Sequence, residues 1–191
     1  MIEQIYEATK GEAIIVTEVG QNQMWSCQWY KYNSPRTFIS SGGLGTMGFG
    51  LPAAMGVKVG CPEKTVFDIA GDGSIQMNIQ EMMTVVANKI PVKVAILNNG
   101  YLGMVRQWQE LFYKRRYSYT KLENPDFVKL AEAYGAVGMR ITKKEDVRKS
   151  IEKAIEIDNT VLLDFVVEEE ENVYPMVPAG EAINRMIGGM A

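Results

Sequence analysis

Two short polar clusters, Gly71-Asp72-Gly73-Ser74 and Asn98-Asn99, each close an apolar run, with room between them for one helix and one strand. Ahead of the first, residues 65–70 read Thr-Val-Phe-Asp-Ile-Ala, a short β-leaning segment. Residues 75–87 carry apolar side chains at 75, 79, 82, 83 and 86, the spacing of a buried helical stripe. Residues 92–97 follow Pro91 and are almost wholly apolar, as in a parallel strand covered on both faces. The sequence therefore spells a βαβ unit, and such a unit belongs in an open α/β sheet. Both polar clusters then lie beyond the carboxyl ends of their strands, the edge where these sheets bind ligands.

Residue types at that edge narrow the ligand. Gly71 and Gly73 let the backbone turn sharply, and the amides that follow, with the Ser74 hydroxyl, suit phosphate oxygens. Asp72 repels a bare diphosphate unless a cation lies between them. Asn99 brings a neutral amide oxygen to the next strand end, and the chain near Tyr101 offers a backbone carbonyl. One carboxylate, one amide, one carbonyl and two phosphate oxygens form the hard oxygen set that Mg²⁺ prefers. An isolated Gly-Asp-Gly is equally consistent with a plain β-turn; the paired clusters are what make a metal-diphosphate clamp the expectation.

The flanking segments have bland readings of their own. Gly20-Gln21-Asn22-Gln23 opens a helix to Trp29 after a first strand at 13–17, and Asn22 there reads as a cap. The run from Gly42 to Gly50 is either a flexible loop or backbone lying against something flat, with Met47 as one of 12 methionines available to a core. A strand at 37–40 precedes it, and Pro52 marks the start of a helix at 53–59. From Gly100 onward, periodicity predicts an amphipathic helix whose Met104, Trp108 and Leu111 join the core. Lys114-Arg115-Arg116 reads as a solvated turn. Asn124-Pro125 caps a helix with Phe127, Leu130, Ala131 and Tyr134 on one face, ended by Gly135. A fifth strand at 136–141, a capping box at 142–145 opening a helix, and a last strand at 160–167 complete the alternation. The tail, with Pro175 and Pro178, is expected to end in a short helix at 181–187.

Composition sets the outer limits. A chain of 191 residues, 47% hydrophobic and 23% charged, fits one globular domain over 1–191. A net charge of -3 gives no reason to expect nucleic acid or a membrane surface, and no apolar run approaches the roughly 20 residues of a span. Cys27 and Cys61 are not spaced as a metal pair and read as buried thiols of a cytoplasmic protein. The absence of histidine excludes Ser-His-Asp and Cys-His catalysis. The fold class expected is a doubly wound α/β domain with a mainly parallel sheet of about six strands.

Gly-Asp-Gly-Ser with Asn-Asn resembles the motif of thiamine diphosphate (ThDP) enzymes. Gly20-Gln-Asn-Gln-Met-Trp25, Ser41-Gly-Gly-Leu-Gly-Thr-Met-Gly48, Gly103-Met-Val-Arg-Gln-Trp-Gln109 and Pro175-Met-Val-Pro-Ala-Gly180 resemble the carboxyl-terminal domain of the acetolactate synthase catalytic subunit. The resemblance spans residues 10–180. It implies a domain that binds ThDP through Mg²⁺, with Asp72, Asn99 and Tyr101 on the metal. Gln21, Asn22, Gly45, Met47, Gly71, Gly73, Ser74, Leu102, Gly103 and Met104 would join them around the cofactor. By this resemblance the Gly45 carbonyl and Met47 amide hold the aminopyrimidine while the Met47 side chain keeps the cofactor bent. Asn22 replaces the histidine of the usual Gly-Gln-His-Gln. Met104, Val105 and Trp108 would line the pocket for the second 2-oxo acid on a mobile segment, with an aromatic wall worth about 1–3 kcal/mol of discrimination per methylene. The tail would fold across the site.

The family decarboxylates pyruvate and joins the two-carbon unit to pyruvate or 2-oxobutyrate, a step toward branched-chain amino acids. It does so as a homo-oligomer, in some cases with a regulatory subunit. A neighbouring subunit's pyrimidine-binding domain supplies an activating glutamate. Neither that domain nor the FAD-binding middle domain has a counterpart in this sequence, so the chain alone is expected to be inactive and to carry no catalytic residue. Two alternatives stand beside this reading: a related ThDP-dependent 2-oxo acid decarboxylase or oxidase, and a non-catalytic phosphate-binding module.

Overall fold

The apolar runs pair as six parallel strands in a computed structural model that describes residues 1–188; the last three residues of the expected 1–191 domain lie outside it. They are β1 (Ile14–Thr17), β2 (Phe38–Ser40), β3 (Val66–Gly71), β4 (Lys93–Asn98), β5 (Val137–Ile141) and β6 (Val161–Val166), in the order β2-β1-β3-β4-β6-β5. Their period-two alternation splits the core into two layers. Val66, Ala70, Val94 and Ile96 face one cluster with residues of α3 (Gly50–Gly60), α5 (Glu81–Ala87) and α7 (Phe127–Tyr134). Phe67, Ile69, Ala95 and Leu97 face the other, with α1 (Ile2–Thr9) and α8 (Lys144–Glu156), and Trp25 of α2 (Gln21–Trp29) packs against it. Helices thus cover both faces, which is why β3 and β4 are apolar throughout.

The chain leaves β1 toward β2 on one side and returns to β3 on the other. That reversal opens a crevice between the β1 and β3 ends, and β4 adjoins it. Gly71 pairs with Leu97, so the turn after β3 and the Asn98-Asn99 tip of β4 stand side by side.

Several local expectations are corrected. The stripe at 75–87 is not one helix: α4 (Asp72–Ile75), a 3₁₀ turn (Gln76–Asn78) and α5 divide it. Asn78 donates to the Gly48 carbonyl at 2.8 Å and Gln76 to the Asp72 carbonyl at 2.9 Å, bending the chain around the site. Met83 is consequently exposed while Val85 is buried. Asp126, not Asn124, caps α7, accepting from the Val128 and Lys129 amides. The expected capping box is not formed, since Lys143 is the residue before α8 and no side chain caps it. The tail makes turns and a Met176–Ile187 bridge, not a helix, within its described part. Cys27 is exposed and Cys61 half-buried, so neither is a buried thiol.

The largest departure is α6 (Gly103–Phe112). Met104 and Leu111 are half-buried and Trp108 is 41% exposed, while Arg106 and Gln107 are the buried members. The helix is amphipathic as predicted, but its polar side faces inward, because the tail supplies polar partners there.

Candidate cofactor site

Asp72 opens α4 directly after β3 and is 1% exposed. Its Oδ2 accepts from the Gly100 amide at 3.0 Å and from Asn124 Nδ2 at 2.6 Å, which ties the β3 turn to the β4 tip. Asn99 Oδ1 accepts from the Tyr101 amide at 3.1 Å, and Asn99 Nδ2 donates to Gln21 Oε1 at 3.2 Å, bringing in the β1 end. Burial pushes the Asp72 carboxyl above its ordinary range, and the bonds from Asn124 and Gly100 only partly oppose this. Among the described residues Asp72 has neutral donors and no ion pair. A carboxylate so placed lacks compensating charge, and a divalent cation held also by neutral oxygens is the partner its chemistry fits.

The cleft above these tips is narrow and is lined by Val19, Gln21, Asn22, Trp25, Met47, Gly71, Asp72, Gly73, Ser74, Leu97, Asn99, Tyr101 and Leu102. Trp25 and Leu97 also line a larger, more apolar hollow bordered by Met1, Trp29 and Val167. Gly73 sits under apolar side-chain tips: a Cβ there would stand 2.9 Å from Leu102 Cδ2, 3.1 Å from Leu122 Cδ1 and 3.8 Å from Met47 Cε. The last contact puts the Met47 side chain over the β3 turn. Gly45 lies beside Val19 at the cleft margin.

Other expected residues are engaged by protein partners or lie away from the cleft. Both amide hydrogens of Asn22 go to backbone carbonyls, Glu18 at 3.1 Å and Ile69 at 2.8 Å, leaving its Oδ1 toward Gly71. In this orientation Asn22 neither caps α2 nor donates to an anion. Gln21 Nε2 donates to Gln107 Oε1 and to the Glu171 carbonyl. Gly103 packs against Gln21 and Asn99. Val105 and Trp108 are not brought to the cleft: they line a separate hollow on the outer side of α6 with Gln109, Tyr113, Arg116 and Ser118.

Sequence reasoning missed Asn124, whose amide also donates to Asn98 Oδ1 at 3.1 Å. Its neighbour Pro125 made a helix cap the obvious reading, and nothing local distinguishes the two roles. Gln107 was missed as well. Its side chain makes a two-way clasp with the Val173 backbone at 2.9 and 2.8 Å, a partner 66 residues away.

A parallel α/β sheet with a buried carboxylate and an amide at adjacent strand tips has the layout of a ligand-binding α/β domain. The family described as thiamine pyrophosphate enzyme, C-terminal TPP binding domain, matches residues 18–165, and the chain belongs to it. Thiamine pyrophosphate is ThDP under its other name.

Among its relatives, the acetolactate synthase large subunit of Haemophilus influenzae is 49% identical over 189 residues, 98% of this chain and 33% of the relative. The corresponding large subunit of Corynebacterium glutamicum is 50% identical over 188 residues, 95% of this chain and 30% of the relative. Acetolactate synthase 1, chloroplastic, of Oryza sativa subsp. japonica is 50% identical over 194 residues, 97% and 30% of the two chains. The chain spans about a third of the length of these relatives. No helix among the described residues is long and apolar enough to cross a membrane.

Proposed function

We propose that this chain is the ThDP- and Mg²⁺-binding part of an acetolactate synthase. The observation that carries the reading is the Asp72 carboxylate, buried with neutral donors from Gly100 and Asn124 and joined through Gly100 to the Asn99 turn. Asp72, Asn99 Oδ1 and the Tyr101 carbonyl would hold Mg²⁺, while the turn at 71–74 would receive the diphosphate. When bound, ThDP supplies the electron sink for decarboxylating pyruvate and passing its two-carbon unit to pyruvate or 2-oxobutyrate. This chain's share is to bind and orient: Met47 stands over the β3 turn, and Gln21 fixes the Asn99 amide.

The exposed Val105 and Trp108 wall of α6 suits a surface completed by another part of the enzyme, where the second 2-oxo acid would enter. A pyrimidine-binding domain of a neighbouring subunit would supply the activating glutamate, within a homo-oligomer open to a regulatory subunit. Any FAD would sit on a middle domain outside this chain. Relatives named as acetolactate synthases over nearly the whole chain support this reading over another ThDP enzyme.

Titration calorimetry tests it. ThDP should bind only with Mg²⁺, and Asp72→Ala should abolish that binding. Tighter binding of ATP than of ThDP would instead favour a generic phosphate module. Reconstitution with a relative's pyrimidine-binding and middle domains should yield acetolactate, not free aldehyde.

A further inference from the structure

Glu18 and Asp68 form a buried acidic pair that the cofactor chemistry does not use. Asp68 pairs with Val16 across β1 and β3, and Glu18 follows Val16 by two residues, so both side chains project from the same face of the sheet beneath the first turn of α3. Both are 0% exposed. Glu18 Oε2 accepts from the Gly48 amide at 2.7 Å and Oε1 from the Leu51 amide at 3.2 Å. Among the described residues neither oxygen of Asp68 has a hydrogen-bond donor. The two groups are close: Asp68 Oδ1 and Glu18 Cγ, the latter at 2.7 Å, both crowd the position a Cβ on Gly50 would take.

Among the described residues no cation faces the pair. On α3 the Lys58 ammonium goes to the Pro62 and Lys64 carbonyls, and on β4 the Lys93 ammonium goes to the Ile157 and Asn159 carbonyls. On α5 Glu81 bonds Thr84. Strand β1 carries no charged residue, and β3 carries Asp68 alone. Two carboxylates in such surroundings cannot both ionise.

We propose that Glu18 and Asp68 hold one proton between them and that this pair is the positioning element for the glycine loop bearing Gly45 and Met47. Asp68, lacking donors, keeps its proton; Glu18, supplied with amides and the α3 N-terminus, is the member that ionises first, and as the carboxylate it pins Gly48 and Leu51. Burial raises both groups, Asp68 well above its ordinary range and Glu18 to about 7, with the Gly48 and Leu51 amides opposing the rise at Glu18. The loop's importance for ThDP rests on the function proposed above, whereas the proton-sharing does not.

Infrared and NMR measurements on the full chain separate the two. A protonated-carboxyl carbonyl stretch should be present at neutral pH and vanish in Asp68→Asn. The Gly48 and Leu51 amide resonances should shift together with Glu18 titration. Asp68→Asn should keep those amides protected, because its amide hydrogens replace the acid proton. Glu18→Gln should lose their protection and weaken Mg²⁺-dependent ThDP binding about tenfold, as expected for a lost charged acceptor. A carboxyl band unchanged by Asp68→Asn, or Gly48 and Leu51 amides that do not respond to pH, overturns the pairing. If the wild type binds no ThDP, the proposed function fails while the band and the amide shifts still decide the pair. If Glu18→Gln does not fold, Asp68→Asn alone provides the test.

Discussion

Removing the Arg106 guanidinium should cost more than its place on a surface helix suggests. Arg106 has no exposed surface, its Nη1 meets Glu110 at 2.6 Å, and its Nη2 meets the Glu171 carbonyl at 2.9 Å and Asn172 Oδ1 at 2.5 Å. Arg106→Ala removes one donor from each of those acceptors, although the Glu171 carbonyl keeps Gln21 Nε2 at 2.8 Å. Breaking one side of a buried pair costs about 3–5 kcal/mol. Glu110 retains Arg115 at 2.8 Å and Asn172 at 3.0 Å, and its side chain is 11% exposed, so the lower end, about 3 kcal/mol, applies. In a domain of this size that loss lowers Tm by about 6–12 °C.

Scanning calorimetry of the purified variant measures the shift, and hydrogen exchange locates it. The Val173 amide, held by Gln107 one residue along α6, should lose protection before the sheet does. Arg106→Met combined with Glu110→Gln should recover most of the loss, because no unpaired charge stays buried. A single variant within about 2 °C of wild type, or a double variant no better than the single, refutes the reasoning.

Three further outcomes follow from the same geometry. Gly50→Ala would push a methyl group into Glu18 and Asp68 and should cost about 1–3 kcal/mol, read as a lower urea midpoint; an unchanged midpoint argues against the crowding. Glu18 holds its proton to about 7 when folded, against 4.5 as the ordinary value, so the native chain binds more protons across that window. Its contribution is therefore complete below 4.5 and lost as pH rises through about 7, and Glu18→Gln should flatten that part of the urea-midpoint profile. Cleavage near Trp108, on the exposed side of α6, should slow when ThDP and Mg²⁺ are added; unchanged proteolysis counts against closure of that segment.

The alternation of apolar runs and glycine turns determined the parallel sheet, its two helical layers and the meeting of Asp72 with the Asn99 turn. These depend on short-range periodicity and on strand tips that any right-handed βαβ unit brings together. Glycine at 73 was legible as a turn residue, although its packing under Leu102 and Leu122 was not.

Tertiary structure alone decided the polarity of α6. Its sequence offers Met104, Trp108 and Leu111 to a core, yet Glu171, Asn172 and Val173 arrive from the far end of the chain and select Arg106 and Gln107 instead. The same holds for Asn124, drawn from a cap to the Asp72 carboxylate, and for Glu18 and Asp68, which are remote in sequence and adjacent across β1 and β3. Periodicity reports which face of an element is apolar. Which polar groups are buried depends on partners tens of residues away, whose hydrogen bonds offset the cost of leaving water.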